Sequence, residues 1–148
     1  MKTLVIFDSN FGNTKIIAET IAKELPAKAI AVSEFDTKEL EGIDLFVVGS
    51  PINAWRPSEK MITFLAGLVK GQLKGVKAAA FDTRVKIFIH GDAAKKIANY
   101  LKGAGAEIIV EPEAFFVKGK EGPLLDGEIE KAKEWARTIK SKKEEKEF

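Results

Sequence analysis

The pattern of apolar and polar positions divides the chain into short, fully apolar runs and longer amphipathic stretches. Leu4-Val5-Ile6-Phe7, Leu45-Phe46-Val47-Val48-Gly49 and Val76 to Phe81 are continuous apolar runs of strand length. Such runs suit strands buried on both faces. Ala29 to Val32 and Glu107 to Val110 read as two further strands, the latter resuming at Ala114 to Val117. Between them, Ile16, Ile17, Ile21 and Leu25, with Ala18 and Ala22, make one helical face that ends at Pro26. Ser58 is a good helix N-cap, followed by the face Met61, Ile62, Leu65, Leu68 and Val69. Asp92 caps a helix whose inner face is Ala93, Ala94, Ile97, Ala98 and Leu101. A last helix starts near Asp126 and buries Ile129, Ala132, Ala136 and Ile139. The connection over residues 35–42 is polar and leaves the second crossover helix short or missing. Strand-helix alternation of this kind predicts an α/β fold: a three-layer, doubly wound, five-stranded parallel sheet.

Length and charge narrow the picture. At 148 residues the chain suits one domain, expected over residues 1–140, with a charged, frayed tail at 141–148. Lys and Arg exceed Asp and Glu by only 24 to 22, and no basic stripe with interleaved aromatics accompanies the excess, so nucleic acid is not the expected partner. The absence of cysteine excludes disulfides, thiolate nucleophiles and cysteine metal sites. No apolar run approaches membrane-spanning length, and the expectation is a cytoplasmic protein without membrane insertion.

The candidate chemistry lies in the loops that follow the strands. After the first strand comes Asp8, then Ser9, Asn10, Phe11, Gly12, Asn13 and Thr14, opening directly into a helix. Hydroxyls, amides and a helix start form a site for a phosphate monoester that needs no Lys or Arg. The loop is neither a Walker A motif nor the dinucleotide fingerprint, because it has a single Gly and no Gly-Lys-Ser/Thr. In a doubly wound sheet, ligands lie beyond the carboxyl ends of the strands. The loop after the third strand, Ser50, Pro51, Ile52, Asn53, Ala54 and Trp55, therefore also lines the expected site, as do Asp82, Thr83 and Arg84 after the fourth. Trp135, on a helix flank, is expected to pack in the core. His90 is the only histidine and is read as structural.

The turn ending in Gly12-Asn13-Thr14 resembles the phosphate loop of flavodoxins, and the likeness extends to element order over nearly the whole chain. It departs at Asn10 and Phe11, where many flavodoxins carry hydroxyl residues. Asp8 to Thr14, Ala80-Phe81-Asp82-Thr83-Arg84 and Phe115-Phe116-Val117-Lys118-Gly119 are similar to segments of short flavodoxin-like proteins of archaea and anaerobes.

The resemblance implies strand order 2-1-3-4-5 and bound flavin mononucleotide (FMN). It also implies electron transfer between redox partner proteins, acidic ones being favoured by the basic balance of this chain. Trp55 is expected to stack on the flavin; Phe88 is read as a core residue, with cover of the flavin's second face as its alternative. Arg56, Arg84 and Lys86 are expected to stabilise the reduced, anionic flavin, with Asn53 adopting the left-handed backbone of the third loop. An FMN-dependent NAD(P)H:quinone reductase and a non-redox module that retained the fold are the alternatives. The lack of inserted loops favours the carrier, which needs no catalytic acid or base. A phosphoacceptor receiver is disfavoured because Ser50 stands where it needs an Asp. A Ser hydrolase is disfavoured because no Gly-x-Ser-x-Gly is present.

Overall fold

The computed structural model describes residues 2–53, 55–86 and 91–144. The expected calls on Ala54, Phe88 and His90 lie outside the described residues. The strands are β1 (Lys2–Phe7), β2 (Lys28–Ala31), β3 (Ile43–Asn53), β4 (Arg56–Pro57), β5 (Lys77–Val85), β6 (Glu107–Ile108) and β7 (Glu113–Val117). The helices are α1 (Asn13–Glu24), α2 (Glu59–Ala66), α3 (Ala93–Gly103) and α4 (Glu128–Lys143).

The main sheet runs β2-β1-β3-β5-β6, with every neighbour parallel. β7 also pairs with β5 in parallel, so β6 and β7 are two pieces of one interrupted edge strand. This is the expected 2-1-3-4-5 order, with β5 as its fourth strand. The second crossover has no α-helix, only two 3₁₀ turns at Val32–Glu34 and Thr37–Leu40.

Strand alternation assigns the core to two layers. Leu4, Ile6, Phe46, Val48, Ala78 and Ala80 pack against Met61 and Leu65 of α2 and Ile97 and Leu101 of α3. Val5, Phe7, Leu45, Val47, Ala79 and Phe81 pack against Ile17 and Ile21 of α1 and Ala132, Trp135 and Ile139 of α4. Trp135 is buried as expected, edge-on to Phe81 and Phe115 at ring-centre distances of 6.0 and 5.9 Å. Both expected caps form: Ser58 Oγ accepts from the Met61 amide, and Asp92 Oδ1 accepts from the Lys95 amide.

Three expected core residues are exposed. Ile16 and Ile17 are adjacent on α1 and cannot share a face; Ile17 goes inside. Val69 lies beyond α2, whose last turn closes at Gly67. Ile129 sits on the first turn of α4 and faces away from the Ala132-Trp135-Ala136-Ile139 stripe. α4 itself continues through Lys143, past the expected start of the tail.

The outer edge of β7 is closed by side chains of α4. Glu128 Oε1 accepts from the Phe116 amide at 2.6 Å, and Lys131 Nζ donates to the Ala114 carbonyl at 2.5 Å. Covering an edge strand in this way blocks its pairing with another chain.

At the centre of the sheet, Gly49 of β3 faces the ring of Phe81 on β5, and a Cβ at position 49 would clash with the tip of that ring at its Cζ. Gly49→Ala is therefore expected to destabilise the fold by about 1–3 kcal/mol through overpacking. Chemical denaturation of the two proteins measures it; an unchanged midpoint would mean that Phe81 relaxes freely.

Candidate functional site

Three strand ends converge at the switch between β1 and β3, where the chain leaves in opposite directions. In-register pairing of Ser50 with Asp82 and Pro51 with Thr83 extends β3 and β5 past the points where apolar patterning stops. Residues expected in loops are thus held as strand ends. Beyond them lies a cleft of about 510 Å³, a size suited to a small ligand. From the expected set it brings together Ser9, Asn10, Phe11, Asn13, Thr14, Pro51, Ile52, Asn53, Thr83 and Arg84.

The first turn of α1 can be accounted for amide by amide. Gly12 takes φ 92°, the left-handed conformation glycine adopts without strain, and starts the helix. A helix leaves its first four N–H groups without intrahelical acceptors. Ser9 Oγ accepts from two of them, Gly12 at 3.0 Å and Lys15 at 3.3 Å. Those of Asn13 and Thr14 remain for a ligand. Thr14 is buried, and its hydroxyl lies 2.7 Å from that of Thr83, tying α1 to the end of β5. Asn10 Nδ2 donates to Asn53 Oδ1 at 3.3 Å, joining the first and third loops.

Two expected site residues do other work. Ser50 is fully buried; its hydroxyl donates to the Pro51 carbonyl and accepts from the Ser58 amide, which fastens β3 to the start of α2. Asp82 is also fully buried and lies behind the cleft wall. Its carboxylate takes Nε and Nη2 of Arg84 and the Ala94 amide, at 2.9 Å for the last. Burial pushes the Asp82 carboxyl above its ordinary value, while the Arg84 fork and the Ala94 amide pull it down. Burial also lowers Arg84, but the hydrogen bond and charge of Asp82, with Asp92 beside it, raise it further and keep the guanidinium charged. The nearby Asp92 carboxylate adds to the upward push, so the Arg84 fork and the Ala94 amide are what favour the charged form of Asp82.

Trp55 does not line the cleft. It is 52% exposed, in the turn of the β3–β4 hairpin, at φ 74°. Among the described residues of this loop the left-handed one is Trp55 and not the expected Asn53, a costly conformation for a bulky side chain. The Trp55 carbonyl accepts from Lys96 Nζ at 3.1 Å. Gly12 shapes the first loop without lining the cleft. Arg56 faces a separate hollow between α2 and α3, and Lys86 lies 5.5 Å from the centre of the Phe116 ring.

Val85, Val117 and Lys120 line the cleft and were absent from the expected set. Lys120 belongs to the turn after β7, which Asn13 Nδ2 holds through the Glu121 carbonyl at 3.2 Å. Only the Phe115 to Gly119 likeness pointed toward this segment.

The walls combine apolar side chains, Phe11, Pro51, Ile52, Val85 and Val117, with hydroxyls, side-chain amides and two cations. That donor set fits a flat heteroaromatic ring carrying a phosphate. Among the described residues no group of three or more His, Cys, Asp or Glu could hold a metal, and no helix is long and apolar enough to cross a membrane.

Fold and cleft together define a doubly wound α/β protein of the flavin-binding type. The flavodoxin domain family matches residues 4–148, and the chain belongs to that family. An uncharacterised protein of Methanocaldococcus jannaschii is 31% identical, over 94% of this chain and 98% of that one. Oxidised flavodoxin 1 from Bacillus cereus superposes with a TM-score of 0.81 at 20% identity, covering 95% of this chain and 98% of that one. A flavodoxin from the domain Archaea superposes with a TM-score of 0.80 at 22% identity, covering 98% and 100%.

Thr83→Val leaves the buried Thr14 hydroxyl without its partner. The expected cost is about 1–3 kcal/mol in unfolding free energy, with little change in Thr83→Ser. Equal stability of the valine variant and the parent would show that the hydroxyl pair contributes nothing.

Proposed function

We propose that this protein holds FMN in the cleft at the β1–β3 switch and carries electrons between partner proteins. The observation that carries the reading is the cleft itself: a hydroxyl- and amide-lined helix start, with apolar walls beside it, in a chain of the flavodoxin domain family. Ser9 and Thr14, with the amides of Asn13 and Thr14, would receive the phosphate, and Lys120 stands on the same cleft. Pro51, Ile52 and Val85 would enclose the ring, and Asn10 and Asn53 close the mouth. The redox chemistry would be that of the flavin; the protein's part is binding, access and local charge.

Carriage is favoured over turnover because β3 leads into α2 with only Ala54 to Ser58 between them. No insertion is available there to build a second nucleotide site. Exposed Lys15 and Lys60 in the first turns of α1 and α2, Arg56 of β4 and Lys120 of the turn after β7 suit acidic partner proteins. We place the protein in the cytoplasm.

Titrating the protein with FMN and with riboflavin, followed by flavin fluorescence, tests the reading. One FMN is expected per chain, with riboflavin at least about tenfold weaker, since hydrogen bonds to a charged acceptor contribute about 1.5–3 kcal/mol each. Gly12→Val should remove the preference, because a β-branched residue resists the left-handed conformation at position 12. Equal affinity of the parent for both ligands would sink the phosphate assignment. NADH or NADPH oxidation with a quinone above roughly 1 s⁻¹, the low end of common enzyme rates, would favour the reductase.

A further inference from the structure

We propose that Asp82 is a positioning residue that fixes the Arg84 guanidinium in the cleft wall and cancels its charge, so that the site offers flavin no uncompensated cation there. The proposal rests on the FMN reading of the cleft.

Arg84 lines the cleft and Asp82 does not. The two stand two residues apart on β5, so they share the face turned toward α3. Nε of Arg84 donates to one carboxylate oxygen of Asp82 at 2.8 Å and Nη2 to the other at 2.5 Å. This fork-to-fork contact fixes the plane of the guanidinium as well as its position. The Arg84 side chain is 9% exposed and that of Asp82 is 0% exposed, so water screens the pair weakly. Asp82 is in turn anchored by the Ala94 amide at the start of α3. Asp92, the cap of the same helix, meets Nη2 from the other side at 3.3 Å. One guanidinium thus faces two carboxylates. A lone arginine would favour the reduced, negatively charged flavin over the oxidised one; this arginine has its countercharge built in.

The test compares the parent with Asp82→Asn and with the double variant Asp82→Asn, Arg84→Gln. Each is loaded with FMN, and its midpoint potential is measured by equilibrium photoreduction against a reference dye. The potential reports the ratio of affinities for reduced and oxidised FMN, which a purely structural role of Asp82 would not move selectively. Asp82→Asn is expected to raise that ratio about tenfold, as the loss of one negative charge roughly 10 Å away does at an effective dielectric near 20. The double variant should return it close to the parent value. Arg84→Lys keeps the charge and loses the fork; it should weaken FMN and riboflavin alike, leaving the phosphate preference intact.

An unshifted ratio in a folded Asp82→Asn protein overturns the inference, as does a double variant shifted as far as the single one. If Asp82→Asn fails to fold, the salt dependence of Lys120→Gln decides, because that variant removes the other cation of the cleft. A balanced Arg84 then predicts a ratio that changes less than about twofold between low and high salt, and a larger change overturns the proposal. A parent that binds neither FMN nor riboflavin defeats the cofactor reading itself; binding with an unshifted ratio defeats only the role of Asp82.

Discussion

Burial of a parallel sheet on both faces is the constraint on which the rest of this structure depends. The middle stretches of β1, β3 and β5 are apolar and buried, with no face to offer water. They must be sandwiched, and parallel neighbours must be joined by crossovers that return the chain to the same end. All the strands then finish on one side of the molecule. Chain direction reverses between β1 and β3, one crossover going to each flank, and the loops at that point part to leave a cleft.

That cleft is held open by polar residues that do not all line it. Ser50 fastens β3 to α2, Asp82 fastens β5 to α3, and Thr14 with Thr83 fastens α1 to β5. Each is buried and each has its partners. A buried polar group is costly unless satisfied, so these contacts specify one arrangement of the strand ends more sharply than apolar packing does. The left-handed backbone at Trp55 belongs to the same economy. It is a strained turn kept in place by its surroundings, among them the Lys96 ammonium on its carbonyl.

Charge follows the same division between what lines the cleft and what supports it. Counted along the chain, Arg56, Arg84 and Lys86 make the loops look cationic. In three dimensions Arg56 turns to the α2–α3 side, Lys86 lies over Phe116, and Arg84 is enclosed by Asp82 and Asp92. The cation gained instead is Lys120, from a segment over a hundred residues away from the loop it faces.

The sequence by itself determined the strand-helix order, the buried strands, the two side-chain caps and the place of the Ser9 to Thr14 turn. These are local matters: the period of apolar residues, the reach of a cap and the needs of a glycine turn operate within a few positions. Tertiary structure decided which of Ile16 and Ile17 is buried, and it turned residues 50–53 and 82–85 from loop into strand. It also set Asp82 behind Arg84 and kept Trp55 outside the cleft. It brought Lys120 in through the contact of Asn13 with Glu121, 108 positions apart. Those outcomes depend on which neighbour offers a partner across the fold, and no periodicity along the chain encodes that choice.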